Sequence, residues 1–157
     1  MPSDAEVIST LNTLIETCRD GQEGFRTAAE GVRGSELREL CQRYAQQRAG
    51  FAGELQDEVR RLGGDPEHSG SLAASLHRGW MGLRAALEGD DDRAVVSECE
   101  RGEGVALETY RAALGTDMHA SVRAMVERQF AEIKEAHNLI GSIGRRSGTG
   151  ASNKQRP

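Results

Sequence analysis

Four polar residues interrupt apolar stripes of helical periodicity in four separate segments: Gln22, Arg48, Glu103 and Gln129. In an antiparallel helix pair joined by a tight turn, residues at equal depth have numbers with a constant sum. Gln22 and Arg48 sum to 70 about a turn near residue 35, and Glu103 and Gln129 sum to 232 about a turn near residue 116. We therefore expect the four side chains to meet in one buried polar layer.

Ion pairing is the first chemistry that this layer could support. An arginine or a glutamate alone in an apolar core costs several kcal/mol, so we expect Arg48 and Glu103 to pair. The two flanking amides can each donate and accept hydrogen bonds, so all four members can be satisfied. Such a pair can fix helix register. Alternatively, the side chains reach water between loosely packed helices, Arg48 most readily because of its long stem.

Metal binding is the second chemistry. Di-iron sites in helix bundles use inward carboxylates and a Glu-x-x-His on each of two helices. None of the four histidines here has a glutamate three residues before it. The remaining candidate ligands lie on two segments only: Glu100, Glu103, Glu132 and His137. Because a guanidinium nearby opposes cation binding, the sequence predicts no metal cofactor and keeps this cluster as the alternative.

Four long amphipathic segments must position these residues. Their apolar side chains recur every three or four positions, which is typical of helices buried on one side. Glycine-containing turns join the first segment to the second and the third to the fourth. Between the second and third lies a long connection, in which Trp80 is expected to anchor a shorter helix against the bundle. The predicted helices span residues 4–33, 35–62, 71–87, 92–114 and 118–143.

Two tight turns and one long crossover predict an all-α, ferritin-like four-helix bundle, with a short extra helix in the crossover. The second and third long helices should then run parallel. We expect the bundle to occupy residues 1–143. Residues 144–157, rich in Gly, Ser, Arg and Lys, are predicted to form a disordered basic tail.

Length and composition narrow the class of protein. A chain of 157 residues suits a single domain with a real core. A net charge of -5 argues against nucleic-acid binding through a basic face, and no apolar run approaches the ~20 residues that span a bilayer. The N-terminus lacks the features of a signal peptide. Cys18, Cys41 and Cys99 fall on apolar stripes, so we expect buried, reduced thiols in a cytoplasmic protein.

Several motifs together resemble a bacterial family of unknown function whose members are described as ferritin-like four-helix-bundle proteins. These motifs are Leu11-Asn12-x-Leu14-Ile15-Glu16, Asp20-Gly21-xx-Gly24-Phe25-xx-Ala28-Ala29, Gln47-Arg48-xx-Phe51, His77-Arg78-Gly79-Trp80, Glu100-Arg101-Gly102-Glu103 and Ile133-xxx-His137. The resemblance covers about residues 5–143. It implies a fold and a bacterial cytosolic setting, and it carries no assigned reaction.

Three functional hypotheses follow. The leading one is a non-enzymatic bundle, stress-associated or an interaction module, with the polar layer in place of a di-iron site. The alternative is a divergent di-iron or other metal-binding protein that handles iron or oxidative stress. The third is an adaptor that binds a protein partner through the segment from His77 to Trp80. The sequence leaves the partner open, and also whether the chain forms a homo-oligomer.

Overall fold

The computed structural model describes residues 2–66 and 79–154, with side chains as far as Gly144. Within these ranges the regular structure consists of five α-helices. They are α1 (Asp4–Gly31), α2 (Ser35–Arg61), α3 (Leu83–Glu88), α4 (Asp92–Leu114) and α5 (Ala120–Lys154). Ser3 caps α1, because its Oγ accepts the backbone N–H of Glu6 at 3.2 Å. None of the helices in the described ranges is long and apolar enough to cross a membrane.

Helices α2 and α4 run parallel, as predicted. The carboxylate of Asp92, the first residue of α4, accepts backbone N–H groups of Arg33 at 3.0 Å and Gly34 at 2.8 Å. Because these two residues form the α1–α2 turn, α4 begins at the same end of the bundle as α2. At the opposite end, His119 Nε2 before α5 lies 3.2 Å from Asp4 Oδ1 at the start of α1. The connection from α2 to α4 therefore crosses the bundle, which gives the ferritin-like topology.

The crossover is not one continuous helix over 71–87, as the sequence predicts. Residues 67–78 lie outside the described ranges, residues 79–82 form a turn, and α3 begins only at Leu83. Gly79 has a φ of +75°, in the left-handed region that favours glycine. A Cβ on Gly79 would lie 3.0 Å from the Cα of Gly102 on α4. The close approach of the crossover to α4 thus interrupts the predicted helix.

The last helix differs most from its predicted bounds. It begins at Ala120 rather than at residue 118, and it continues to Lys154, past the predicted end at residue 143. Gly and Ser in this stretch lower helix propensity but do not end a helix, and the next proline is Pro157. The earlier ends shift less, since α1 ends at Gly31 and α2 at Arg61. The division into a bundle of residues 1–143 and a tail of 144–157 stays a prediction.

Apolar side chains form two clusters along the bundle. The cluster nearer the α1–α2 turn includes Phe25 and Tyr44, and the other includes Phe51 and Ile133. Arg48 lies between Tyr44 and Phe51 on α2, one turn from each, and only 1% of its surface is exposed. This charged side chain is therefore enclosed at the boundary between the two apolar clusters.

The three cysteines are buried and free, as the apolar stripes predict. Cys18 belongs to the cluster farther from the α1–α2 turn, whereas Cys41 and Cys99 belong to the nearer one. Their burial fits the behaviour of free cysteine as a small apolar side chain.

Candidate functional site

Arg48 on α2 and Glu103 on α4 form a bidentate ion pair inside the bundle. Arg48 Nη1 donates to Glu103 Oε1, and Nη2 donates to Oε2. The side chains are 1% and 0% exposed, so water does not screen the pair. Two parallel N–H···O bonds match the planar guanidinium to the carboxylate and fix their relative orientation. The pair thus links the α1–α2 hairpin to the α4–α5 hairpin at the centre of the molecule.

Further contacts hold the guanidinium in place. Arg48 Nε donates to Gln47 Oε1 at 3.2 Å, and the guanidinium carbon lies 5.5 Å from the centroid of the Phe25 ring. On α1, a Cβ added to Gly21 would lie 3.1 Å from Arg48 Nη1, closer than ordinary packing. The absence of a side chain at Gly21 therefore provides the space that the buried guanidinium fills.

Gln22 does not belong to the buried layer, so the prediction for this residue is wrong. It is half-buried and lines depressions on the outer face of α1 and α2. The apolar stripe of α1 steps from Cys18 by three residues to Gly21 and then by four to Phe25, so Gly21 occupies the inward position at this level. A stripe that is read through apolar side chains alone passes over a glycine. The nearby Gly24 was a further signal of close packing on this face.

Two opposing effects act on the pKa of Arg48: the loss of hydration on burial and the attraction to Glu103. Burial alone lowers the pKa of Arg48, but the charge of Glu103 and its hydrogen bonds raise it, and the net result is a raised pKa. Arg48 therefore stays protonated, and the carboxylate beside it faces a fixed positive charge. Breaking the pair from one side would leave the other charge buried without compensation.

Gln129 is fully buried, but its hydrogen bonds lead to Tyr110 rather than to the ion pair. The Tyr110 hydroxyl donates to Gln129 Oε1 at 2.8 Å and lies 3.0 Å from Cys18 Sγ. Gln129 Nε2 donates to the Phe51 carbonyl at 3.5 Å and to Glu54 Oε1 at 3.4 Å. These contacts form a hydrogen-bonded chain from the thiol in the core to a carboxylate at the surface. Tyr110 lies on the apolar stripe of α4, where an aromatic ring is typical of a core position, so the sequence pattern gives no signal for its hydroxyl group.

The register of α5 explains why Gln129 and Glu103 do not lie at one level. Residues 115–119 form the connection between α4 and α5, so its midpoint lies later in the chain than the predicted turn near residue 116. Because the turn comes later, residues at equal depth on α4 and α5 have numbers with a larger sum. The residue of α5 at the level of Glu103 therefore comes after Gln129 in the sequence. The contact between Tyr110 and Gln129 agrees with this shift. Of the four predicted residues, the structure brings Arg48 and Glu103 into direct contact.

The alternative ligand cluster does not assemble. Glu103 is bound to Arg48, and Glu132 lies 3.3 Å from Arg128 with 42% of its side chain exposed. Glu100 and His137 are partly exposed. Within residues 2–66 and 79–144, no three His, Cys, Asp or Glu side chains are grouped so that they could hold a metal ion.

A ferritin-like bundle implies a di-iron centre at this level. Such a centre needs several inward carboxylates and imidazoles on facing helices. At the described centre both oxygens of Glu103 are engaged by a guanidinium, and Gln129, Tyr110 and Cys18 supply an amide, a phenol and a thiol. Burial raises the pKa of the Cys18 thiol to about 11, so the thiolate that binds metals is disfavoured. This donor set does not fit a di-iron centre.

Trp80 anchors the crossover, as predicted. It is 7% exposed and makes an edge contact with Phe25 at a centroid distance of 5.1 Å. A Cβ on Gly24 of α1 would lie 2.3 Å from the indole, and one on Gly102 of α4 would lie 2.2 Å from it. Two glycines thus form a slot for the ring. The adaptor hypothesis needs Trp80 to be available to a partner, but its side chain is internal. His77, the other end of that segment, lies outside the described residues.

Comparison with known proteins agrees with this architecture. The family described as "Domain of unknown function (DUF2383)" matches residues 6–116. The solved structure of a Dps1 mutant from Mycobacterium smegmatis matches with a TM-score of 0.78 over 89% of this chain and 95% of that chain, at 16% sequence identity. Likeness at this identity shows a ferritin-like fold and no more. None of the curated proteins matches the chain.

Proposed function

The chain belongs to the DUF2383 family of domains of unknown function, and from this premise we propose that it is a non-enzymatic interaction module. In this proposal a buried ion pair replaces the di-iron site that ferritin-like bundles build at their centre. The observation that carries it is the bidentate contact between Arg48 and Glu103. A bundle whose central carboxylate is engaged in this way supplies rigid helical surfaces rather than a reactive centre.

The energetics of the pair support this reading. A cation that binds Glu103 must displace both hydrogen bonds from Arg48. It would then leave the guanidinium buried beside a second positive charge, with neither water nor an anion to offset the loss. Removing one partner of a buried pair costs about 3–5 kcal/mol, and the binding of a metal ion at Glu103 would have to offset this loss.

The setting of the module is also part of the proposal. We place it in the bacterial cytoplasm with a stress-associated role. Support comes from the resemblance of its motifs to a bacterial family and from three buried, free thiols, which suit a reducing compartment. Its proposed partners are proteins rather than nucleic acids, because the net charge is -5.

Metal content is the test of this function. We expect protein that is expressed with or without supplied iron to contain far less than one metal ion per chain by elemental analysis. The metal content of the Arg48→Met variant is compared with that of the wild type, because this variant lacks the guanidinium and keeps Glu103. Stoichiometric iron in the wild type that disappears in Glu103→Gln would contradict the proposal and establish the alternative, a divergent metal-binding protein.

A further inference from the structure

Two of the three buried thiols are neighbours in the core. Cys41 on α2 and Cys99 on α4 belong to the apolar cluster nearer the α1–α2 turn, and they are 1% and 0% exposed. A hydrogen bond with the Cys41 thiol, followed by burial, raises the pKa of the Cys99 thiol well above its usual value. Cys18, in contrast, lies in the other cluster and pairs with the Tyr110 hydroxyl.

The helices that carry this pair lie too far apart for a disulfide. Helices α2 and α4 are diagonal in the bundle, since each packs against α1 and α5, and every Cα of α2 is more than 8 Å from every Cα of α4. A disulfide needs Cα atoms within about 7 Å of each other. Cys41 and Cys99 therefore cannot be joined without movement of the backbone, and they remain a dithiol.

Two sulfurs that approach each other from diagonal helices suit a bridging ion. With metal–sulfur bonds of about 2.3 Å, as in zinc thiolates, a linear sulfur–metal–sulfur unit spans about 4–5 Å, roughly twice the length of a disulfide bond. Among the described side chains, no third His, Cys, Asp or Glu joins the pair in a group that could hold a metal ion. The pair thus offers two ligands, whereas structural zinc and iron–sulfur clusters need four.

We propose that Cys41 and Cys99 form a two-coordinate site for a soft monovalent cation, Cu(I). Thiolates select Cu(I) over harder ions, and this ion accepts two sulfurs in a line. Each thiol releases its proton to solvent as its bond to copper forms, and copper stays in the +1 state, so no electron is transferred. A single buried thiolate is disfavoured, as at Cys18, but a coordinated cation reverses this preference.

A depression in the surface marks the expected route of entry. It has a volume of about 150 Å³ and lies between α2 and α5. Leu40 and Ile143 line it, and both belong to the same apolar cluster as the dithiol. Two carboxylates, Glu36 and Glu39, and one guanidinium, Arg43, also line the depression, which leaves an excess of negative charge that attracts cations.

An anaerobic titration with Cu(I) tests the site. The full chain competes for copper with bathocuproine disulfonate, a chromogenic Cu(I) chelator. We expect the wild type to take about one ion per chain, with a rise in its thermal midpoint because the ion binds the folded state. Cys41→Ala and Cys99→Ala should each bind at least about a hundredfold more weakly, since one sulfur remains.

The matched control is Cys18→Ala, which removes a thiol that is equally buried but lies outside the pair. It should bind copper like the wild type. Circular dichroism establishes that each variant is folded, and Cys41→Ser or Cys99→Ser replaces an alanine variant that is not.

A wild type that leaves all copper with the chelator would overturn the inference. So would a Cys99→Ala variant that binds like the wild type, or equal losses in all three cysteine variants. This inference goes beyond the proposed function, and the two can fail separately. Iron bound through Glu103 would contradict the proposed function, whereas the copper test depends on Cys41 and Cys99 and on Cu(I) that is supplied.

Discussion

The enclosure of Arg48 depends on a small residue of α1 as well as on its charged partner. Gly21 leaves the space into which the guanidinium packs, and Phe25 lies beside it. The stripe pattern predicted that Arg48 and Glu103 would be inward, because both interrupt runs of apolar residues. It could not predict that the α1 position at this level is a glycine, since glycine carries no hydropathy signal. Gln22, the next residue, was therefore assigned in its place.

The thiol of Cys18 gives the molecule a pH dependence. Burial raises its pKa from 9.0 to about 11, although the hydrogen bond with Tyr110 acts in the opposite direction. The unfolded chain releases this proton near pH 9, whereas the folded protein keeps it until about pH 11. Stability that is present below pH 9 is therefore lost as the pH rises through this window. Burial also raises the pKa of Tyr110, which adds to the effect.

We expect the urea midpoint of the wild type to fall steadily from pH 9 towards pH 11, as followed by circular dichroism. Cys18→Ala should start from a lower midpoint, because it leaves a small cavity, but decline less steeply with pH. Equal slopes in the two proteins would show that this thiol does not couple folding to alkaline pH.

At the scale of the elements, α1 and α4 approach each other through the Trp80 side chain. Gly102→Ala would place a Cβ 2.2 Å from the indole, and a rigid ring between two helices cannot yield easily. We expect a loss of about 1–3 kcal/mol from overpacking, with a red shift of the fluorescence of this tryptophan. Gly104→Ala is the matched control on the same helix, because nothing lies within 4 Å of its added Cβ.

The control should be neutral or stabilising by about 0.5–1 kcal/mol, since alanine is the better helix former. The measurement is urea unfolding of both variants with tryptophan emission as the signal. If Gly102→Ala unfolds like Gly104→Ala, the slot for Trp80 is not tightly packed and the crossover is anchored elsewhere.

The elements were more predictable than the contacts between them. Apolar periodicity and glycine turns give the helices to within a few residues, apart from the crossover and the last helix. The predicted crossover helix failed because Gly79 approaches α4, a tertiary contact that has no local signal. The predicted level of Gln129 beside Glu103 was wrong for a related reason. The constant-sum rule depends on the length of the α4–α5 connection, so a small error there moves a residue along its partner helix.

At the scale of the whole molecule, the bundle should fold without its C-terminal segment. Every buried core residue within the described side chains lies at or before Ile143. We expect a chain that ends at Gly144 to unfold within about 1 kcal/mol of the full chain, because all the buried core residues among the described side chains are kept. Thermal unfolding followed by circular dichroism measures this. A much lower midpoint would show that residues 145–157 belong to the bundle.

The central ion pair connects the two hairpins that make up the molecule, so global unfolding reports on it. The decisive measurement is urea unfolding of Arg48→Met, Glu103→Leu and the double variant, compared with the wild type. Each single substitution should cost about 3–5 kcal/mol, because it leaves one buried charge unpaired. The double variant should lose far less than the sum, since no buried charge then remains. Additive losses from the two single substitutions would contradict the account, because they would show that Arg48 and Glu103 do not interact.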